Sequence, residues 1–146
     1  MPYKFLEHTA DIKIAAEEKN LEDAFKSSAL AMREVIFDFE KIKVKSAKSR
    51  FLSIEGKDLG DLLYNFLEEF IYLLDADDFI LSEIEDLEIA ENKQGKKIES
   101  YSLTAKILGD SAGNYKFTNK VKAVTFNEMF VKKEGKSFKV QFVLDV

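Results

Sequence analysis

The sequence has no cysteine and no tryptophan, and it has one proline and one histidine among its 146 residues. Without cysteine there is no disulfide framework, no thiolate nucleophile and no zinc–thiolate site. No apolar run is long enough to span a bilayer and the N-terminus lacks an apolar signal segment, so a cytoplasmic protein is expected. The net charge of −5 argues against direct binding to nucleic acid or to an anionic membrane.

What the composition supplies is material for a core. Hydrophobic residues make up 46% of the chain, and 13 of them are phenylalanine. Together with a third of charged residues, this is ordinary soluble globular composition. The length suits one domain, which we expect to cover residues 1–146.

Two segments repeat their apolar residues with helical spacing. The first should run from Leu21 to Phe37 with Asn20 as its N-cap, and the second from Asp58 to Leu74, begun by Asp58. The residues of the first apolar stripe are Leu21, Ala24, Phe25, Ser28, Met32, Val35 and Ile36; those of the second are Leu59, Leu62, Leu63, Phe66, Leu67, Phe70, Leu73 and Leu74.

The rest of the chain is expected to be β-structure. Short strands are predicted at Ile42–Val44 and Phe51–Ile54, and hairpin loops at Asn92–Lys96 and Lys132–Lys136. Lys120–Val131 has apolar side chains on both faces, which is typical of a central strand. The predicted fold class is therefore α+β, with two helices packed on a largely antiparallel β-sheet.

Chargeable side chains gather near both ends of the chain. His8, Thr9 and Asp11 lie between two strand-like segments, where the simplest interpretation is a turn whose side chains bond nearby backbone. At the other end, Asp145 is adjacent to the α-carboxylate of Val146, and two such charges repel unless a cation binds them. On a terminal strand this is commonly solvated charge, but with Asp11 close by it would form a hard-oxygen site for Ca²⁺ or Mg²⁺.

Two further charged residues lie next to apolar stripes. Glu69 falls about 20° beyond the apolar arc of the second helix, so it reaches either solvent or a semi-buried site. Strand alternation places Lys122 on the same face as Val124, Phe126 and Phe130. There its ammonium group either extends to the sheet edge or pairs with an acid.

Five segments together make the sequence resemble the archease family. In order along the chain they are His8–Ile12, Leu21–Phe25, Asp61–Glu69, Lys120–Phe126 and Leu144–Val146. The departures are small: Phe66 stands where tryptophan is common, Asn127 where histidine is often found, and Val146 in place of a usual isoleucine.

The resemblance implies a non-enzymatic protein partner of the RtcB-type RNA ligase, which joins tRNA halves with GTP and a divalent metal. Archeases are taken to promote guanylylation and repeated turnover of that ligase, so RNA would be engaged only through the ligase. By position, Asp11, Asp145 and the Val146 carboxylate would hold Ca²⁺, Mg²⁺ or Mn²⁺. Lys122, Glu69 and His8 would serve partner contact or activation, and no residue would be catalytic.

Two other functions stay open at this point. A stand-alone metal-dependent hydrolase could use the same acids with His8 as its base. The lone histidine, the missing Gly-rich phosphate loop and the lack of a serine or cysteine arranged with a base disfavour it. A general chaperone or scaffold would instead bind many clients and be indifferent to Asp145.

Overall fold

The structure is a computed structural model that describes residues 2–6, 11–37 and 45–146. Within these ranges the chain forms seven strands, two α-helices and a short 3-10 helix at Ala112–Asn114. In chain order the strands and α-helices are β1 (Tyr3–Leu6), β2 (Ile12–Glu18), α1 (Leu21–Ile36), β3 (Lys48–Gly56), α2 (Leu59–Asp77), β4 (Phe79–Gln94), β5 (Lys97–Ser111), β6 (Ala123–Glu134) and β7 (Ser137–Asp145). The strand predicted at Ile42–Val44 lies outside the described residues.

The strands form two antiparallel sheets with the helices between them. The first sheet has the order β1-β2-β7-β6, and the second has the order β3-β5-β4. Helix α1 contacts β2 and β7 of the first sheet and β4 of the second, while α2 contacts β6 and all three strands of the second. The α+β prediction is confirmed, and the strands divide into two sheets that share one apolar core.

Both helices begin at the predicted caps. The Asn20 side chain accepts a hydrogen bond from the Asp23 N–H at 2.8 Å, and Asp58 accepts one from the Asp61 N–H at 2.8 Å. These bonds satisfy amide groups that a helix start leaves without a partner. Neither α1 nor α2, the α-helices of the described chain, is long and apolar enough to cross a membrane.

The second helix extends beyond its predicted end at Leu74. Asp75 and Asp77 belong to the last turn of α2. The helix ends at Asp78, which adopts a left-handed conformation with φ of 53° and donates its N–H to the Leu73 carbonyl. Aspartate tolerates this conformation better than most residues, so it can end a helix where glycine is more usual.

The prediction of a central strand at Lys120–Val131 is wrong. The strand found there, β6, begins at Ala123 and lies at the edge of the first sheet. Its pairing with β7 is interrupted between Thr125 and Phe130, where β6 has more residues than its partner. This bulge interrupts the alternation of side chains along β6. The sequence pattern therefore shows apolar residues on both faces, although β6 is an edge strand.

Candidate functional site

The start of β2 and the end of β7 lie together at one end of the first sheet. Strand β2 pairs with β7 in the register that sets Ile12 opposite Leu144. Asp11 directly precedes Ile12, and Asp145, the last residue of β7, directly follows Leu144, so both acids adjoin this pair. Directly opposed residues of antiparallel strands lie about 4.5–5.5 Å apart between Cα atoms. The sheet therefore places Asp11 and Asp145, which are far apart in the sequence, at the same sheet end.

Which face these acids occupy follows from the alternation along β7. Phe142 and Leu144 are fully buried against the helices. Asp145 is offset from them by one residue, so it lies on the outer face of the sheet, the face turned away from the helices. Asp11 and Asp145 are both half-buried, which leaves their carboxylates within reach of solvent.

Lys122 joins this end of the sheet through its backbone. Its N–H donates a 2.8 Å hydrogen bond to the carbonyl oxygen of Asp145, just before β6 begins at Ala123. This bond fixes the position of the Asp145 peptide, while the Lys122 side chain is exposed. Asp11 and Lys122, which directly precede β2 and β6, thus lie at the same sheet end as Asp145, the last residue of β7.

The predicted common face of Lys122, Val124, Phe126 and Phe130 is not found. Val124 pairs with inward-facing Leu144, whereas Phe130 pairs with Gln141 on the outer face. The bulge between Thr125 and Phe130 reverses the alternation, so the two apolar residues lie on opposite faces.

Glu69 lies elsewhere. It borders a shallow depression beside β3 together with Ser53, Glu55 and Tyr72. Burial raises the pKa of Glu69 above its ordinary value, and the charge of Asp77 raises it further. The rim position on α2 is as predicted, but the helix turns this rim toward the second sheet and not toward Asp145.

The roles predicted for His8 and for the metal ligands stay predictions. His8 lies outside the described residues. Among the residues that are described, no three histidine, cysteine, aspartate or glutamate side chains converge as a metal site. The predicted ligand set has only two acidic side chains, Asp11 and Asp145, and its third member is the α-carboxylate of Val146.

Sequence reasoning missed the bulge itself as a candidate site. Glu128 has a φ of 56°, its carboxylate pairs with Lys13 Nζ at 3.2 Å, and its carbonyl oxygen accepts a 2.9 Å bond from the Gln141 side chain. On the other side of the bulge, the Phe126 ring stacks on Tyr64 of α2. The available signal was the interruption of strand alternation by Asn127 and Glu128 between aromatic residues.

These features define a small α+β protein with two helices between two antiparallel sheets and charged groups collected at one sheet end. The chain belongs to the Archease protein family, whose model matches residues 3–146. It is 36% identical over 146 residues to the protein archease of Methanosarcina barkeri, covering 99% of this chain and 95% of that relative. The protein archease of Pyrobaculum neutrophilum is also 36% identical, over 147 residues and with the same coverage.

Solved structures show the same fold. Protein 1598 of Methanobacterium thermoautotrophicum superimposes with a TM-score of 0.78 at 27% identity, covering 99% of both chains. A Thermotoga maritima protein, described as an archease and possible chaperone, superimposes with a TM-score of 0.56 at 16% identity over 98% of this chain and 96% of its own. The second likeness concerns the fold alone.

Proposed function

We propose that this protein is a non-catalytic, cytoplasmic cofactor that activates an RtcB-type RNA ligase in tRNA splicing. It promotes guanylylation and repeated turnover of the ligase through a divalent cation held by carboxylates. The observation that carries the proposal is the pairing of β2 with β7, which sets Ile12 and Leu144, the sequence neighbours of Asp11 and Asp145, opposite each other at one sheet end. Membership of the archease family supports a protein partner of this kind.

The donor chemistry of this sheet end suits a hard cation. Asp11, Asp145 and the α-carboxylate of Val146 would hold Ca²⁺, Mg²⁺ or Mn²⁺, all of which take oxygen ligands. Bound through one oxygen each, two side chains and one terminal carboxylate supply three ligands of a shell of six or more, so positions remain for groups of the ligase. When bound, such a cation neutralises negative charge that develops during attack on a nucleoside triphosphate.

The residues of this chain have positioning roles in the proposal. The Lys122 N–H holds the Asp145 peptide in place, and its exposed ammonium group is directed to an acidic group of the ligase. His8, three residues before Asp11 in the sequence, serves partner contact. Glu69, on the side of α2 that faces β3, would contact the partner separately from the cation.

A multiple-turnover ligation assay tests the proposal. With RNA, GTP and metal, substoichiometric wild-type protein is expected to increase ligase turnover. Asp11→Ala and Asp145→Ala should abolish that increase, and Lys122→Ala should reduce it. Glu99→Ala removes one exposed acid from the β4–β5 hairpin, far along the second sheet, and should keep full stimulation.

The outcomes separate the competing functions. A ligase rate that the wild-type protein leaves unchanged would contradict the cofactor proposal. Full stimulation by a folded Asp145→Ala variant would keep the partner but exclude the metal site as the cause. Nucleotide turnover by the isolated protein would favour a hydrolase, and binding of many unrelated clients without regard to Asp145 would favour a chaperone.

A further inference from the structure

The bulge of β6 presents an aromatic ring to solvent. Phe126 is 56% exposed although it stacks on Tyr64, with ring centroids 4.2 Å apart and planes 14° from parallel. One face of the Phe126 ring is therefore covered by Tyr64. Exposed large apolar side chains are common singly, but a stacked pair at a bulge is a specific arrangement.

The backbone that carries this ring is held in place. Glu128, two residues after Phe126, adopts a positive φ of 56°, which costs a non-glycine residue free energy. Its ion pair with Lys13 at 3.2 Å and the bond from Gln141 to its carbonyl at 2.9 Å connect the bulge to β2 and β7. Phe126 is thus presented by an ordered segment, which lowers the entropy cost of binding to it.

A depression of about 320 Å³ adjoins the ring. Phe126 and Met129 line it on the β6 side, and Asp58 and Asp61 line it on the α2 side. Asp58 uses one oxygen to cap α2, and Asp61 uses one oxygen to accept the Lys57 N–H at 2.9 Å. Each carboxylate has a second oxygen with which it can accept a bond from an incoming donor.

The charge around the aromatic pair is negative. Asp58 and Asp61 lie on one side of it, and Glu68 lies beside Tyr64, where burial and then the charge of Glu68 raise the tyrosine pKa. Lys57 is the cation that lines the depression. A phosphate-bearing ligand would be repelled here, whereas a cation with a flat apolar surface would be attracted.

We propose that the patch formed by Tyr64, Phe126, Asp58 and Asp61 binds an arginine side chain on a basic surface of the partner protein. A guanidinium group is planar, stacks on an aromatic face and donates paired hydrogen bonds to carboxylates, which a lysine ammonium does not do.

This inference rests on the proposed function for the identity of the partner. A ligase that binds RNA must itself carry a basic surface, because neutralisation of phosphates supplies most of the affinity for nucleic acid. The net charge of −5 on this chain favours encounter with such a surface. The patch adds a specific contact to that general attraction.

A peptide titration tests the patch without the ligase. The ¹⁵N-labelled protein is titrated with a tri-arginine peptide and, for matched charge, a tri-lysine peptide, and amide shifts at Gly60 and Phe126 are followed. Tri-arginine is expected to shift these amides and to bind at least three-fold more tightly than tri-lysine. Phe126→Ala and the double variant Asp58→Asn with Asp61→Asn, which retains the capping acceptors, should each weaken binding at least three-fold.

Phe51→Ala provides the control, since Phe51 is 80% exposed on β3 of the other sheet, and it should change nothing. Equal affinity for both peptides, or shifts spread over the whole acidic surface, would overturn the proposal. So would shifts at Phe126 produced by an RNA oligonucleotide, or by raising the concentration of the protein alone.

Binding to an RtcB-type ligase, measured by calorimetry, separates the two proposals. The Phe126→Ala and Asp58/Asp61 variants are expected to bind the ligase at least five-fold more weakly than wild type, with a smaller dependence on salt for the double variant. If wild type binds the ligase and these variants bind equally well, the patch is not the docking site. If wild type does not bind the ligase, the proposed function fails, and the peptide titration alone decides what the patch binds.

Discussion

At the residue scale, Glu69 is a carboxylate whose environment disfavours its charge. Burial, and then repulsion by Asp77, raise its folded-state pKa above that of the unfolded chain. Its protonated form is therefore favoured by folding, and its contribution to stability falls as the pH rises through the carboxylate range. Glu69→Gln is expected to raise the melting temperature at pH 7 by about 1–3 °C and to change it little at pH 3. A melting temperature lowered at pH 7 would show that the charge has a favourable partner.

In the buried pair of Tyr115 and Asp110, the pKa of the carboxylate is lowered, opposite to the shift at Glu69. The Tyr115 hydroxyl donates to Asp110, and the Ser111 N–H donates to the same carboxylate at 2.8 Å. The bond from Tyr115 is the main cause that lowers the pKa of Asp110. The resulting stability is present above the unfolded-state pKa and is lost as the pH falls through the folded-state value.

Tyr115→Phe keeps the ring that packs on Phe37 and removes the hydroxyl, which donates to Asp110 and accepts a 3.1 Å bond from the Lys45 N–H. The variant should be less stable than wild type at pH 7, and the difference should shrink toward pH 3. Chemical denaturation at both pH values measures this, with Tyr72→Phe on the exposed face of α2 as the control. A difference that is the same at both pH values would mean that loss of the bond from the Lys45 N–H, and not of the pair with Asp110, is responsible.

At the scale of the element, β5 passes so close to β4 that a side chain does not fit. A Cβ atom at Gly109 would come within 2.1 Å of the Ile80 carbonyl oxygen and 2.5 Å of Phe79 Cζ. Backbone cannot move away cheaply, so Gly109→Ala should lower the free energy of unfolding by about 2–4 kcal/mol. In Gly113→Ala the nearest contact is an ordinary 3.7 Å, so the expected change is about 0.5 kcal/mol or less. Equal urea midpoints for the two variants would contradict this register.

Local sequence patterns predicted the helix caps but not the position of β6 in its sheet. Asn20 and Asp58 were predicted as caps because capping depends on a few neighbouring residues, and both predictions are confirmed. The edge position of β6 was not predicted, because the bulge around Glu128 depends on bonds to Lys13 and Gln141 in other strands. Local patterns identify an element, whereas its neighbours are selected by contacts far apart in the chain.

At the scale of the whole molecule, the sequence predicts the helices and most of the strands but not how the helices and the two sheets pack together. The helical stripes of α1 and α2 specify buried faces, yet nothing in them says that each helix contacts two sheets. The same limit affects the site. Glu69 was placed correctly on a rim, but the direction of that rim depends on how α2 lies between β6 and β3. The proximity of Asp11 and Asp145 was suggested by resemblance, and the β2–β7 register pairs their sequence neighbours, Ile12 and Leu144.

Cation binding beside Asp11 and Asp145 should stabilise the entire fold, because β2 and β7 are the central strands of the first sheet. A ligand that binds only the folded state stabilises it by mass action, by about 2.7 kcal/mol at a hundred-fold excess over Kd. Ca²⁺ or Mg²⁺ is therefore expected to raise the melting temperature of wild type, and Asp145→Asn should lose that increase.

Without metal, Asp145→Asn should be at least as stable as wild type, since it removes repulsion with Asp11. Glu99→Gln removes the same charge from the exposed β4–β5 hairpin and should keep the full response to the cation. Calorimetric titration of both variants, beside thermal melts with and without cation, measures the coupling. A full cation response in folded Asp145→Asn would exclude this carboxylate as a ligand, whereas a response lost in both variants would indicate general screening of negative charge.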